Sequence, residues 1–282
     1  MYMAMAGAPT IHLFVNALAL VMGLAFFAIM RSSERAPRLP GGIAVVLGGL
    51  LLTTALFGVS IEGVSRWIRI GGLTLQMSLI VLPAMLVAFA QRRDLLATLS
   101  MILTAVALAL QPDRAMAGVL VSALAVLGVR RRDRWVASAF AMAVASFVVT
   151  LVRPDSLPAV PYVDQILYTA FQVHAMAGMA VVIGTLLLIV PAIVGQRLDP
   201  NNRDVYAVFG AAWLGMVVAA ALGNYPTPLV GYGGSAILGY AFSLALMPGT
   251  VRSAAVAEGQ AGDAVRAETD GDADLRIDIA YG

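Results

Sequence analysis

The chain has 282 residues, of which 60% are hydrophobic and 12% are charged, and its formal net charge is +2. Soluble domains average about 25% charged residues, and a soluble fold of this size could not bury so much apolar surface. The composition therefore predicts a polytopic helical membrane protein and gives no indication of nucleic-acid binding. Because cysteine is absent, disulfide scaffolds, Cys-ligated metal sites and Cys nucleophiles are excluded.

Nine apolar segments are long enough, or nearly so, to cross a membrane, which takes about 20 residues. In chain order they cover residues 11–30, 42–61, 73–90, 95–110, 115–129, 135–152, 166–194, 205–223 and 228–247. We expect helical spans, because backbone polar groups in lipid must be satisfied within their own segment. The fourth and fifth segments are short, so the turn at 111–114 between them is expected close to the membrane or slightly inside it.

Arginine placement predicts the orientation of the chain, because cytoplasmic loops are enriched in basic residues. Alternate loops carry eleven arginines: Arg31, Arg35, Arg38, Arg92, Arg93, Arg130, Arg131, Arg132, Arg134, Arg197 and Arg203. The intervening loops carry four: Arg66, Arg69, Arg114 and Arg153. The arginine-rich loops are therefore predicted to be cytoplasmic, with the N-terminus outside and the C-terminus inside. Eight or ten spans are the alternative, and the short fourth and fifth segments are where the count would change.

Residues 251–282 differ in character from the rest of the chain. They hold seven acidic residues and three arginines among Ala, Gly and Ser. Such a segment has too little apolar surface to fold by itself. The sequence therefore predicts one transmembrane domain over residues 1–250 and a disordered acidic cytoplasmic tail over residues 251–282.

The first turn predicted outside contains Arg66, Trp67 and Arg69, followed by Gln76 and Ser78. Arginine beside tryptophan is common at membrane interfaces, where both side chains reach the headgroup layer. The same arginines could instead bind a phosphate or a carboxylate, since a guanidinium suits bidentate contacts. Both interpretations are compatible with the pattern.

The next two outside turns carry acidic residues. In the sequence Gln111-Pro112-Asp113, proline ends one helix and Asp113 can cap the next through its carboxylate. In the Pro-rich stretch 153–165, Asp164 opens the seventh segment, either as a helix cap or as a functional carboxylate. Tyr168 and Gln172 follow Asp164 at steps of four, so the three are predicted to share one helix face.

His174 lies deeper in the same segment, and a hydrogen-bonding role is favoured for it over catalysis. Polar side chains in the outer half of a span are costly and usually face a cavity or a partner. The last outside turn, 223–235, contains Tyr232, Gly233, Gly234 and Ser235. Its glycines permit close helix approach and exposed backbone donors.

These four outside pieces, in this order, resemble the SEDS family of shape, elongation, division and sporulation proteins, the FtsW/RodA type. Arg66-Trp67 with Gly71, Gln76 and Ser78 resembles the family's RW…G…QPSE stretch. Gln111-Pro112-Asp113 resembles its QPD turn. The residues Leu214-Gly215-Met216 and the run 226–235, which ends in Tyr232-Gly233-Gly234-Ser235, resemble its GM…PLPxxSYGGS ending.

The resemblance implies a polytopic glycosyltransferase that polymerises lipid-linked disaccharide-pentapeptide into peptidoglycan at the outer face of the bacterial cytoplasmic membrane. It implies Asp164 as the catalytic aspartate, since the family places one in the outside loop before this span. The predicted substrate-binding residues are Arg66, Trp67, Arg69, Gln76, Ser78, Asp113, Tyr168, Gln172, Tyr232, Gly233, Gly234 and Ser235. Expected partners are the lipid-linked precursor, a class B penicillin-binding transpeptidase and membrane lipids, but no nucleic acid.

Chemistry adds further expectations. Asp164 could act as the base, Arg66 and Arg69 could hold the pyrophosphate, and a divalent cation could bridge that group, although no ligand cluster identifies one. Asp164 and Arg66 are then expected to line one outward-open polar cavity, with Trp67 and Tyr232 at its rim.

Several positions depart from the family pattern. Leu79 and Leu82 stand where the QPSE stretch has its glutamate and, three residues later, a lysine, and Met77 replaces the QPSE proline. The outside loop before Asp164 is short, and two spans rather than three precede the RW turn. A non-catalytic regulator of wall synthesis, or a transporter of lipid-linked precursor, therefore remains an alternative function.

The predicted orientation can be tested with reporter fusions. Fusions after Arg38, Arg93, Arg132 and Arg203 are expected to report the cytoplasm, because the arginine-rich loops stay inside. A fusion near Pro158 is expected to report the outside. An outside signal at Arg132 would show that the fourth and fifth segments had been miscounted.

Overall fold

The computed structural model describes residues 2–32, 38–71, 73–153, 157–230 and 233–249. The acidic tail, residues 251–282, and the candidate site residue Tyr232 lie outside these ranges.

Within the described residues the chain is mainly helical. The helices are α1 (Tyr2–Met5), α2 (Thr10–Ser32), α3 (Gly41–Phe57), α4 (Met77–Gln91), α5 (Leu95–Leu110), α6 (Arg114–Arg130), α7 (Arg134–Val152), α8 (Ile166–Val173), α9 (Ala175–Leu187), α10 (Val190–Leu198), α11 (Arg203–Leu222) and α12 (Gly234–Ala245), with a 3-10 turn at Pro200–Asn202. The strands are β1 (Val59–Ile61), β2 (Val64–Ile70) and β3 (Leu73–Gln76).

The predicted polytopic helical bundle is confirmed. Four helical stretches are long and apolar enough to cross a membrane: α2, α7, Ala175–Leu198 and Pro200–Leu222. Four shorter apolar helices, α3, α4, α5 and α12, lie where further spans were predicted. The multi-pass character is clear, whereas nine spans and the sidedness of the termini remain predictions.

The seventh predicted span is not one helix. The helix α8 ends at Val173, and His174 is extended, with φ −167°. The Nδ1 atom of His174 accepts a hydrogen bond from the Met176 N–H at 3.1 Å, so the side chain caps α9. The hydrogen-bonding role predicted for His174 is confirmed. A second break separates α9 from α10, near Pro191 in the first turn of α10, where a missing N–H costs nothing.

A three-stranded antiparallel sheet, in the order β1-β2-β3, was not predicted. A tight turn at Glu62 and Gly63, both with positive φ, joins β1 to β2, and such turns match the twist of antiparallel strands. Trp67 pairs with Gln76 across β2 and β3. The segment predicted to start a span at residue 73 therefore begins as a strand and becomes helical at Met77.

The main hydrophobic core surrounds α4. Every residue of this helix from Ser78 to Ala90 is buried, as expected for a helix that is apolar on all sides. It packs against α11 and α12 and also touches α3, α5 and α6. A second, smaller cluster is formed by Tyr2, Met3, Ile166, Ala170, Ala177 and Val181, from α1, α8 and α9.

Glycine permits the close contact between α12 and α4. A Cβ atom built on Gly239 would lie 2.0 Å from the Leu79 carbonyl oxygen, so the two backbones touch there. At Gly234 a Cβ would lie 3.3 Å from Cγ1 of Val15 in α2. The predicted close helix approach at the start of the last span is therefore present at Gly234.

We expect Gly239→Ala to lower the free energy of unfolding by about 1–3 kcal/mol, because the new methyl group forces the α12 and α4 backbones apart. Gly49→Ala is the matched control, since a Cβ there meets nothing within 4 Å and alanine favours a helix. Thermal unfolding in detergent measures both variants. Equal melting temperatures for the two would contradict the close contact.

Candidate functional site

A buried polar network centres on Asp113, whose side chain has no exposed surface. Its Oδ1 accepts a hydrogen bond from the Met116 N–H at 3.2 Å and caps α6. Its Oδ2 accepts from Gln76 Nε2 and from Ser78 Oγ, each at 3.1 Å. The predicted capping role of Asp113 is confirmed, and the second oxygen explains why Gln76 and Ser78 lie beside it.

Arg66 completes the network from strand β2. Its side chain is 3% exposed, and its Nε lies 4.0 Å from Asp113 Oδ2. Its Nε also donates to the Gln111 carbonyl at 3.4 Å, and its Nη2 donates to the Pro112 carbonyl. The guanidinium is therefore buried against the QPD-like turn and holds it in place.

Arg69 does not share this environment. Successive side chains of a strand point to opposite faces, so residues three apart diverge. Arg69 is exposed and Arg66 buried. The strand geometry therefore does not match the expectation that Arg66 and Arg69 bind one pyrophosphate together. Trp67 is half-buried in the same strand.

The last helix joins the network through Ser235, whose Oγ accepts a hydrogen bond from the Gln76 backbone N–H at 3.0 Å. Beside it, the Gly233 N–H donates to Asn16 Oδ1 of α2 at 3.1 Å. Residues from three of the four outside pieces, far apart in the chain, thus meet at one end of the bundle. These contacts hold β3, α2, α4, α6 and α12 together.

Asp164 lies in the loop before α8 and is 8% exposed. Its Oδ2 accepts a hydrogen bond from the Val160 N–H at 2.8 Å, and its backbone forms an antiparallel bridge with Pro226. The residue that caps α8 is Gln165, with φ 57°, and its side chain makes no capping bond. The helix-cap interpretation of Asp164 is therefore wrong, because the chain turns once more before the helix begins at Ile166.

Burial raises the pKa of the Asp164 carboxyl, and the hydrogen bond from Val160 partly opposes that shift. Desolvation disfavours the charged form, so the carboxyl holds its proton more tightly than an exposed aspartate does.

Tyr168 and Gln172 are exposed on α8. The Tyr168 hydroxyl donates to the Ala221 carbonyl at 2.7 Å, which links α8 to the end of α11. Asp164 is buried ahead of the helix, so the three residues do not share one helix face as predicted. The left-handed turn at Gln165 separates Asp164 from the helical repeat.

The segment Asn224-Tyr225-Pro226 connects Asp164 to the Arg66 network. Asn224 Oδ1 accepts from Gln165 Nε2 at 2.7 Å, and Asn224 Nδ2 donates to the Leu157 carbonyl at 3.1 Å. The Arg66 guanidinium lies 5.9 Å from the centre of the Tyr225 ring, which is within cation–π range. Asp164 and Arg66 thus contact the same short segment.

A cavity of about 740 Å³ lies between α6, α7 and α11 and extends to this segment. Its walls are mostly apolar, and its polar lining comes from Arg114, Ser122, Asn224 and Tyr225. Neither Arg66 nor Asp164 lines it, so this largely apolar cavity is not the polar cavity predicted between those two residues, which stays a prediction.

This cavity was not predicted from the sequence, although a signal was present. Small residues recur at steps of four on both walls: Gly118 and Ser122 on α6, and Ala211, Gly215 and Ala219 on α11. Such spacing places small side chains on one helix face. Within the described residues no group of three or more His, Asp or Glu residues is placed to bind a metal ion.

No protein-family model matches the chain, and no curated protein matches it either. Solved structures do match, among them the rod shape determining protein RodA of Thermus thermophilus and a variant of RodA with one aspartate replaced by alanine. The variant has a TM-score of 0.60 and 21% identity, over 87% of this chain and 89% of RodA. The unsubstituted RodA has a TM-score of 0.58, 20% identity and the same coverage.

The chain has a RodA-like fold. At this identity the similarity concerns the fold, and it supports the predicted relationship to the SEDS family. Several polar side chains of the sequence pieces that carried the resemblance are buried in this bundle: Arg66, Gln76, Ser78, Gln111, Asp113 and Ser235.

We expect Arg66→Ala to destabilise the protein by about 3 kcal/mol, because it leaves the buried Asp113 carboxylate without its cation. Arg69→Ala is the matched control and is expected to change stability by about 0.5 kcal/mol or less, because that side chain is exposed. Thermal unfolding in detergent distinguishes the two. If Arg66→Ala unfolded at the wild-type temperature, the network would not hold the bundle end together.

Proposed function

We propose that the protein is a SEDS-type glycosyltransferase of peptidoglycan synthesis, in cell division or cell shape, which acts on lipid-linked disaccharide-pentapeptide. The observation that carries the proposal is Asp164, a buried carboxyl whose pKa burial raises. Its loop forms a bridge with Pro226, next to Asn224 and Tyr225 of the cavity wall, in a RodA-like fold. A base needs a pKa nearer to neutral than that of an exposed aspartate, and burial supplies this shift.

In the proposed reaction a sugar hydroxyl of the acceptor attacks the anomeric carbon of the donor sugar. The bond from that carbon to the lipid pyrophosphate breaks, and the configuration inverts. Asp164 takes the hydroxyl proton. Its Oδ2 is occupied by the Val160 N–H, so Oδ1 is the oxygen that would accept the proton.

The proposal includes an environment and partners. The protein would act in the bacterial cytoplasmic membrane with Asp164 on the outer side and the arginine-rich loops inside. A class B penicillin-binding transpeptidase would cross-link the strands that it makes. A divalent cation could bridge the pyrophosphate, although the described residues offer no ligand cluster for one.

A second candidate function is a non-catalytic regulator of wall synthesis. Leu79 and Leu82, which stand where the family has a glutamate and a lysine, are 7% and 0% exposed and belong to the main core. These two positions therefore pack the bundle and offer no polar group to a substrate.

The variant Asp164→Asn separates the two functions. Asparagine can still accept the Val160 hydrogen bond, so the loop is expected to keep its shape, whereas a base is lost and turnover should fall at least a hundredfold. Glycan-strand formation from lipid-linked precursor by purified protein measures turnover. Asp94→Asn is the matched control, because Asp94 caps α5 at the other end of the bundle and asparagine caps about as well. Wild-type turnover in Asp164→Asn would favour the regulator.

The raised pKa of Asp164 also predicts a pH dependence. Turnover should rise as the pH rises through that pKa and then level off, because only the carboxylate can act as base.

The free energy of unfolding should fall over the same pH range. The folded state holds this proton more tightly than the unfolded chain does, so the stability contribution of Asp164 is full at low pH and is lost as the pH rises through the raised pKa.

Thermal unfolding from about pH 4 to pH 8 tests the stability part, with Asp164→Asn as the reference that lacks the titration. The wild type should lose stability relative to this variant as the pH rises. A constant difference between the two proteins would show that the carboxyl keeps the pKa of an exposed aspartate.

A further inference from the structure

Among the described residues that line the cavity between α6, α7 and α11, one is charged, Arg114 at the start of α6. From there the wall formed by α6 continues through Gly118 and Ser122 to Val126. Twelve helical residues rise by about 18 Å. The cavity is therefore an elongated apolar groove with a cation at one end, and we refer to it as the Arg114 groove.

The Arg114 guanidinium is only weakly held by the protein. Its Nε and Nη2 donate to the Thr150 carbonyl at 3.4 and 3.3 Å, and Nη2 donates to the Arg153 carbonyl at 3.4 Å. These bonds are long for N–H···O contacts, and they do not use Nη1. Arg66, in contrast, is buried against the QPD-like turn. Arg114 is thus better placed than Arg66 to bind an anion.

The end of the groove near Arg114 adjoins the loop of Asp164. Leu157, Asn224 and Tyr225 line the groove, and Asn224 is hydrogen-bonded to Gln165, the neighbour of Asp164. An anionic group bound at Arg114 would therefore lie on the same side of the bundle as the carboxyl, and an apolar chain would extend from it between α6 and α11.

We propose that the Arg114 groove binds the hydrocarbon chain of a lipid-linked pyrophosphate and that Arg114 is the residue that binds its phosphate. This inference rests on the proposed function, which supplies the ligand. Charge complementarity at the end of the groove and the apolar walls below it match an amphiphile with an anionic headgroup. The pyrophosphate contact is assigned to Arg114, in place of the Arg66 and Arg69 pair.

The test uses the full chain in nanodiscs of phosphatidylcholine, with radiolabelled polyprenyl pyrophosphate as the probe. Arg114→Gln should weaken its binding about tenfold or more, since a charge-assisted contact is lost. Arg114→Lys should restore part of the affinity. Arg153→Gln is the matched control: Arg153 is exposed, donates to the Ala109 and Leu110 carbonyls and does not line the groove.

A neutral polyprenol, used as a second probe, distinguishes binding of the hydrocarbon chain from binding of the phosphate. Arg114→Gln should leave polyprenol binding unchanged, whereas Ser122→Phe, which fills the groove, should weaken the binding of both probes. Equal affinity of wild type and Arg114→Gln for the pyrophosphate would overturn the inference. Equal competition by phosphatidylglycerol would also overturn it, since the groove would then be an ordinary phospholipid site.

The failure of the proposed function would look different. If the wild type bound polyprenyl pyrophosphate through Arg114 but formed no glycan strands, the groove assignment would stand and the glycosyltransferase would not. If glycan strands formed with the same KM in wild type and Arg114→Gln, the glycosyltransferase function would be supported and the assignment of Arg114 would be contradicted.

Discussion

The structure depends on the buried carboxylate of Asp113. A charge removed from solvent is tolerated only when hydrogen bonds and a counter-charge surround it. Here Gln76, Ser78, the Met116 N–H and the Arg66 guanidinium provide that surrounding. These groups belong to β2, β3, α4 and α6, so satisfying one side chain fixes the sheet, α4 and α6 relative to one another. Ser235 adds α12 through the Gln76 backbone.

This requirement divides the arginines of the turns predicted to lie outside into two kinds. Arg66 is surrounded by backbone carbonyls and belongs to the framework. Arg114 follows Asp113 directly in the chain but points away from the network and reaches the groove. Asp113 caps α6 with its side chain directed into the network, and this position of the helix start places the side chain of Arg114 at the groove. Tyr225 lies between them, against Arg66 on one side and the groove on the other.

Much of the fold could be predicted from the sequence, because hydropathy alone locates nearly every helix and the cap at Asp113 is a local property. The sheet was not predicted because the apolar pattern of the third span is continuous from Leu73. Pairing with β2, in which Trp67 lies opposite Gln76, makes the start of that segment a strand. The environment of Asp164 depends on a bridge to Pro226, more than sixty residues away, and no local pattern encodes it. The groove required the relative placement of three helices, for which the small-residue spacing was only a partial signal.

The seventh segment is shared between two hydrophobic clusters. Its first part, Ile166 to Val181, packs with α1 in the small cluster, whereas Leu188 and Ala192 belong to the main core. Backbone amides exchange with solvent at a free energy set by the cooperative unit that must open, and a unit with few buried contacts opens first. The helices α8 and α9, with α1 against them, therefore form a unit whose stability is partly separate from that of the main core. The loop of Asp164 leads into this unit, and its described ties to the rest of the bundle run through Asn224 and Pro226.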